Sequence, residues 1–204
     1  MASQDNLVWI DLEMTGLDVE TCTILEIATI VTDSNLEVLG EGPEIVIGHS
    51  DATLEAMDEW NTTHHGESGL TKAVRQSSVT LKQAQRQTLD FIEQYCHRDT
   101  APLCGNSVWQ DRRFLARYMP RIEQYLHYRM IDVSSIKEVV KRWYPDAVTP
   151  PVKGQSHRAL DDIRESIREL QYYRSKVFVP PGGGADIPAI DAPKSDGPAE
   201  SGDE

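Results

Sequence analysis

The sequence predicts a single α/β domain: a mixed, mostly five-stranded sheet flanked by helices. Two patterns predict it. The chain opens with short apolar runs, Leu7–Ile10 and Ile24–Val31, separated by turn signals, which is how strands in a meander read. Further on, amphipathic stripes at helical spacing alternate with short apolar runs. Strands first, then strands interleaved with helices, indicate a mixed sheet with helices on its faces.

The elements follow in order. Leu7-Val8-Trp9-Ile10 is a buried strand, ending in Asp11 and Glu13, and ILEIATIV from Ile24 is a second. Asp33-Ser34-Asn35 is a turn, with Leu36–Leu39 and Glu44–Ile47 as strand material after it. Leu81, Ala84, Leu89, Ile92 and Tyr95 form one apolar stripe, predicting a helix from Leu81 to Cys96. Pro102-Leu103-Cys104 is a short strand before Gly105-Asn106-Ser107. Arg112–Tyr118 is a helix that stops before Pro120. Met130–Val133 is a strand, after which Ser134 or Ser135 caps a helix to Trp143. Leu160, Ile163, Ile167 and Leu170 mark a last helix, Ala159–Arg174.

The 204 residues suit one domain plus a tail. Residues 1–179 form the domain. Residues 180–204 hold five Pro, five Gly and six acids with no aromatic residue, so they cannot bury enough apolar area to offset their ordering entropy and are expected to be disordered. The tail carries −5 of the net −13, leaving −8 for the domain. So acidic a protein is not expected to coat long duplexes, a mode that relies on many Lys/Arg–phosphate contacts. A small substrate in a local pocket needs only a few cationic groups. No apolar run reaches the ~18 residues of a membrane span. The start MASQDNLVWIDLEMTG has no basic region followed by an apolar core, so no secretory signal is expected. Three widely spaced cysteines fit neither a disulfide framework nor a zinc pattern, and a cytoplasmic location is expected.

Residues i and i+2 of a strand share a face, so Asp11 and Glu13 point the same way. Two buried anions side by side repel, and a bound cation removes the penalty. A pair of solvated acids at a strand end is the plain alternative. Met14-Thr15-Gly16-Leu17 follows, where the glycine allows close backbone approach to a ligand. Asp111 in GNSVWQDRRFL, and Asp161 and Asp162 in HRALDDIRESI, each fall in a first helical turn, where an acid also serves simply to cap the helix or balance its dipole.

Taken together, DxE, a central Asp about 100 residues on and H-x-x-x-x-D about 45 residues further resemble the DEDDh superfamily of 3′→5′ exonucleases, and within it the oligoribonuclease family. VWIDLEMTGL, GNSVWQDRRFLARYMP, HYRMIDVSSIKE and HRALDDIRESIREL carry that resemblance, which covers Asn6 to Val179. Trp109 departs from it, standing where many members have a smaller residue.

The resemblance implies a ribonuclease-H-like fold and a homodimer that trims short single-stranded RNA, dinucleotides included, to 5′-mononucleotides. It implies that Asp11, Glu13, Asp111 and Asp162 hold two divalent cations, Mg²⁺ or Mn²⁺, with His157 as general base. Hard cations of this kind take oxygen ligands, and no cysteine lies among the acids to favour zinc. Asp161 is turned away by helical geometry and is expected to be solvated or to support the ligands from behind. The resemblance further implies that Leu17 wedges between the terminal bases and that Trp60 stacks on a base. Ser107, Arg129 and Ser134 would cap the 5′ phosphate, with Tyr128 supplied by the neighbouring subunit. Of His64 and His65, it favours His65 as a substrate contact. Read without it, Trp60 pairs with Met57 as core filling, and Tyr128-Arg129 is a pair at the start of a strand with no ligand role. Two other functions stay open: another DEDDh exonuclease of proofreading or tRNA-trimming type, and a non-catalytic nucleic-acid-binding module. The second is disfavoured by retention of all four acids.

Overall fold

A computed structural model describes residues 2–145 and 158–179. The tail and the 146–157 segment lie outside the described residues. The sheet is mixed and has six strands. They are β1 (Leu7–Met14), β2 (Ile24–Thr32), β3 (Val38–Glu41), β4 (Ile45–Val46), β5 (Pro102–Gly105) and β6 (His127–Asp132). Five lie on one path in the order β3-β2-β1-β5-β6, and the two-residue β4 pairs with β2 beside it. β1 runs antiparallel to β2 and parallel to β5, and β5 runs parallel to β6.

Three short helices, α1 (Asp51–Glu55), α2 (Glu59–Glu67) and α3 (Leu70–Gln76), follow β4. The apolar periodicity did not reveal them, because their burial rests on a small satellite core of Leu25, Leu54, Met57, Leu70 and Val74. α4 (Leu81–Ile92) is opened by a capping box between Thr80 and Gln83. It ends four residues earlier than the apolar stripe suggested. α5 (Trp109–Tyr118) and the single-turn α6 (Pro120–Glu123) come before β6, and α7 (Val133–Trp143) and α8 (Ala159–Lys176) after it. The cap of α7 is Asp132, whose side chain accepts from the Ser134 amide, rather than either serine. A carboxylate at the strand end reaches the first free N–H groups of the helix and suits its dipole.

The sheet separates two cores. On one face, Val8, Ile10 and Leu12 of β1 pack with Ala84, Leu89 and Ile92 of α4 and Phe114 and Leu115 of α5. On the other, Trp9, Ala28, Ile30 and Cys104 pack beneath Val140 of α7 and Ile163, Ile167, Leu170 and Tyr173 of α8. β2 is buried along its whole length, as a strand covered on both faces must be. All three cysteines are free thiols. Among the described residues, no helix is long and apolar enough to cross a membrane.

Candidate active site

The two-residue alternation of β1 decides where its acids go. Val8, Ile10 and Leu12 face α4 and α5, whereas Trp9 faces α8. Asp11 and Glu13 continue the Trp9 row. Both lie inside β1 rather than beyond its end, because the backbone ladder to β2 runs on past Glu13 to the Met14–Ile24 pair. α8 crosses that face and carries Asp162 in its first turn. Asp11, Glu13 and Asp162 thereby each offer a carboxylate oxygen within 4.8 Å of the others.

Such a cluster opposes its own ionisation. Burial, then the charges of Asp162, Glu26 and Asp111, push the Glu13 carboxyl up to about 8, against the opposing pull of Arg158. A divalent cation would offset that repulsion, and an all-oxygen donor set is the kind that Mg²⁺ and Mn²⁺ take. Asp111 stands at the next position round. It is buried in the first turn of α5, and one of its oxygens accepts from the Leu12 amide at 3.0 Å. Burial raises its pKa in turn. Three of the four predicted acids therefore form one ligand-spaced cluster, and the fourth is close enough for its charge to act on Glu13. Asp161 turns aside to pair with Arg164 at 3.1 Å and is half exposed. His157 lies outside the described residues.

Two residues of this centre went unnoticed in the sequence. Glu26 lies opposite Glu13 in the β1–β2 register and is fully buried. Arg158 closes on it with Nε at 3.1 Å and Nη2 at 2.6 Å, and the Ala159 amide donates to the same carboxylate at 3.3 Å. This anchors the start of α8 to β2. The signal available was a lone acid inside the apolar run ILEIATIV.

The predicted substrate contacts separate into groups. Leu17 is 69% exposed, with its carbonyl held by the Gln110 side chain. Trp60 is 58% exposed and stacks on His64 with ring centroids 3.9 Å apart, so it is not core filling; Met57 is the buried member of that pair. His65 is buried. Its Nε2 donates to the Met14 carbonyl at 2.9 Å, and its Nδ1 lies 3.9 Å from Glu13 Oε2, so it packs behind the acids. Ser107 and Ser134 bring their hydroxyls within 3.2 Å, and Asp132 accepts from the amides of both. Arg129 and Tyr128 stand on exposed positions of β6, with the guanidinium 5.2 Å from the ring centroid.

Comparison with known proteins places this geometry. The exonuclease family model RNase_T matches residues 8–170. An oligoribonuclease of Shewanella sp. (strain MR-4) is 57% identical over 177 residues, covering 87% of this chain and 98% of that protein. An oligoribonuclease of Pseudomonas fluorescens is 56% identical over 179 residues, covering 88% and 99%. Among solved structures, Escherichia coli exonuclease I in complex with a dA16 oligonucleotide superimposes with a TM-score of 0.68 at 13% identity, covering 85% of this chain. An exonuclease I from Methylocaldum szegediense gives 0.66 at 16% identity over 84%. The chain spans 41% of each of these two larger exonucleases, and the likeness to them is one of fold.

Proposed function

The chain belongs to the exonuclease family, among its oligoribonuclease members, and on that premise we propose that it is a 3′→5′ exoribonuclease that hydrolyses short oligoribonucleotides, dinucleotides included, to 5′-mononucleotides. The observation that carries this reading is the cluster of Asp11, Glu13 and Asp162 within 4.8 Å, all inside the matched region.

Asp11, Glu13, Asp111 and Asp162 are the residues that would hold two divalent cations, Mg²⁺ or Mn²⁺. When bound, such ions neutralise phosphodiester charge, lower the pKa of a water and stabilise the leaving oxygen. His157, five residues before Asp162, accepts the proton of the attacking water as general base; an imidazole with an unperturbed pKa near ~6.5 is suited to that at neutral pH. Leu17 separates the two terminal bases, and Trp60 offers one of them a stacking face, worth about 1–3 kcal/mol. His65 is read as a substrate contact; it is buried beside Glu13 and bonded to the Met14 carbonyl, next to the Thr15-Gly16-Leu17 turn. Ser107, Arg129 and Ser134 close over the 5′ phosphate. The enzyme acts as a homodimer in the cytoplasm, with Tyr128 reaching the neighbouring subunit's site. Its 70% exposure and its place on β6, the last strand of the sheet path, favour that role.

A length series of end-labelled RNAs from the dinucleotide upward, with and without EDTA, tests the proposal. Metal-dependent release of 5′-mononucleotides, fastest on the shortest RNAs, is the expected result. Preference for long RNA would instead favour a proofreading or trimming exonuclease, and cleavage in EDTA would remove the metal mechanism.

A further inference from the structure

A hydrogen-bond chain, buried at its Glu169 end and exposed at Ser107, joins the helix of Asp162 to the loop of Ser107. Its centre is Glu169 on α8, whose side chain is 4% exposed. The Glu169 carboxylate meets Lys137 Nζ at 2.9 Å, the Tyr173 hydroxyl at 2.9 Å and the Asn106 side-chain amide at 3.2 Å. The same Asn106 nitrogen donates to Ser166 Oγ at 2.8 Å, and the Ser166 hydroxyl donates to the main-chain carbonyl of Asp162 at 2.8 Å. On its other side, Asn106 Oδ1 accepts from the Ser134 hydroxyl at 3.0 Å, and Ser134 Oγ accepts from the Ser107 amide at 3.0 Å.

The direction of these protons is set from one end. A carboxylate only accepts, so the Asn106 side chain turns its NH₂ to Glu169 and its carbonyl to Ser134. A hydroxyl has one proton, and that of Ser134 is committed to Asn106. Its lone pairs therefore face Ser107. Ser107 is thus the donor of the 3.2 Å hydroxyl pair, and of the two serines it holds the proton that can turn from Ser134 to an incoming acceptor. Its backbone is also held at φ 53°, a left-handed conformation uncommon outside glycine, by amide hydrogen bonds to Asp132 Oδ1 and Ser134 Oγ. The fixed backbone and the committed Ser134 proton leave Ser107 as the donor of the pair.

We propose that Asn106 and Glu169 are positioning residues for the 5′-phosphate end of the substrate: they polarise Ser134 so that Ser107 presents its hydroxyl as the donor to the phosphate oxygens. This rests on the reading of Ser107, Arg129 and Ser134 as a phosphate cap. A terminal phosphomonoester is rich in acceptor oxygens, so a lone pair turned towards it would repel and a hydrogen turned towards it binds.

The test compares kcat/KM for one dinucleotide with and without a 5′ phosphate, in wild type, Ser107→Ala, Asn106→Ala and Glu169→Gln. Wild type should prefer the phosphorylated form. Ser107→Ala should lower the preference by about tenfold, the scale of a hydrogen bond to a charged group. Asn106→Ala and Glu169→Gln should lower it in the same direction, through KM for the phosphorylated substrate with kcat little changed. An equal loss on both substrates in the Asn106 and Glu169 variants would mean a structural role only, and unchanged kcat/KM on both would mean no role; either overturns the inference while leaving the cap standing. A wild-type enzyme without preference overturns the cap and the inference with it. Should Glu169→Gln fail to fold, Asn106→Ala decides alone, with melting temperature measured beside it.

Discussion

Glu26 and Arg158 meet at 2.6 Å, a fully buried carboxylate on β2 against the residue that immediately precedes α8. The pair links the strand opposite Glu13 to the helix that carries Asp162. Replacing Glu26 by Ala would strip Arg158 of a buried partner and leave the Ala159 amide without its acceptor. Breaking a buried pair from one side costs about 3–5 kcal/mol, and Arg158, 30% exposed and still paired with Glu44 at 3.1 Å, places the loss at or below the lower end. Denaturant unfolding of Glu26→Ala should show that loss. Stability within the error of wild type would mean the pair contributes nothing net.

Removing the charge of one acid proposed to hold metal should be far more costly to turnover than to folding. Asp11→Asn, Asp111→Asn and Asp162→Asn should each lower kcat roughly a hundredfold or more, since a metal contributes several kcal/mol of charge stabilisation. A variant that keeps a tenth of wild-type turnover at saturating metal would not have lost a metal ligand. Asp111 is the sharpest case, because it stands outside the three-acid cluster.

The stability of the metal-free protein should fall as pH rises. Glu13 titrates at about 8 in the folded chain against an ordinary 4.5. Between those values the folded form keeps a proton that the unfolded form has lost. Its contribution is therefore full below 4.5 and disappears as pH climbs through 8. Glu13→Gln should flatten the fall in melting temperature over that window. Added Mg²⁺ should raise the melting temperature of wild type more at its upper end than at its lower. Parallel pH curves for wild type and Glu13→Gln would contradict the assignment.

His157→Ala should retain metal and substrate binding but lose about 10²–10⁴-fold in turnover, the usual contribution of a positioned general base. The wild-type rate should rise with pH through a group near neutrality, and that limb should vanish in the variant. An identical pH–rate profile in both would assign the base elsewhere.

Length preference should depend on β6. A dinucleotide should have a higher kcat/KM than a heptamer, because a further nucleotide would have to displace the proposed cap and brings more phosphates to a chain of net charge −13. Arg129→Ala and Tyr128→Ala should narrow that gap by weakening the dinucleotide more, and a monomeric variant should behave like Tyr128→Ala. Equal kcat/KM for both lengths in wild type and Arg129→Ala would mean a general exonuclease.

The sequence by itself determined the elements whose signal is local. The apolar runs of β1 and β2, the stripe of α4, and the period-two placement of Asp11 and Glu13 on one face all follow from neighbours a few residues apart. So does the H-x-x-x-x-D spacing. Only the tertiary structure decided what depends on distant partners. Asp162 reaches Asp11 and Glu13 because α8 crosses the Trp9 face of β1. Trp60 is exposed because Met57, not Trp60, fills the satellite core. Glu26 is tolerated in a buried strand because Arg158, 132 residues away, neutralises it. Asp132 rather than a serine caps α7, and the amide of Asn106 takes its direction from Glu169. The physical reason is common to these cases. A buried charge or amide must be matched by a partner, and the partner's identity is fixed by how the sheet and helices pack, a relation that no short stretch of sequence contains.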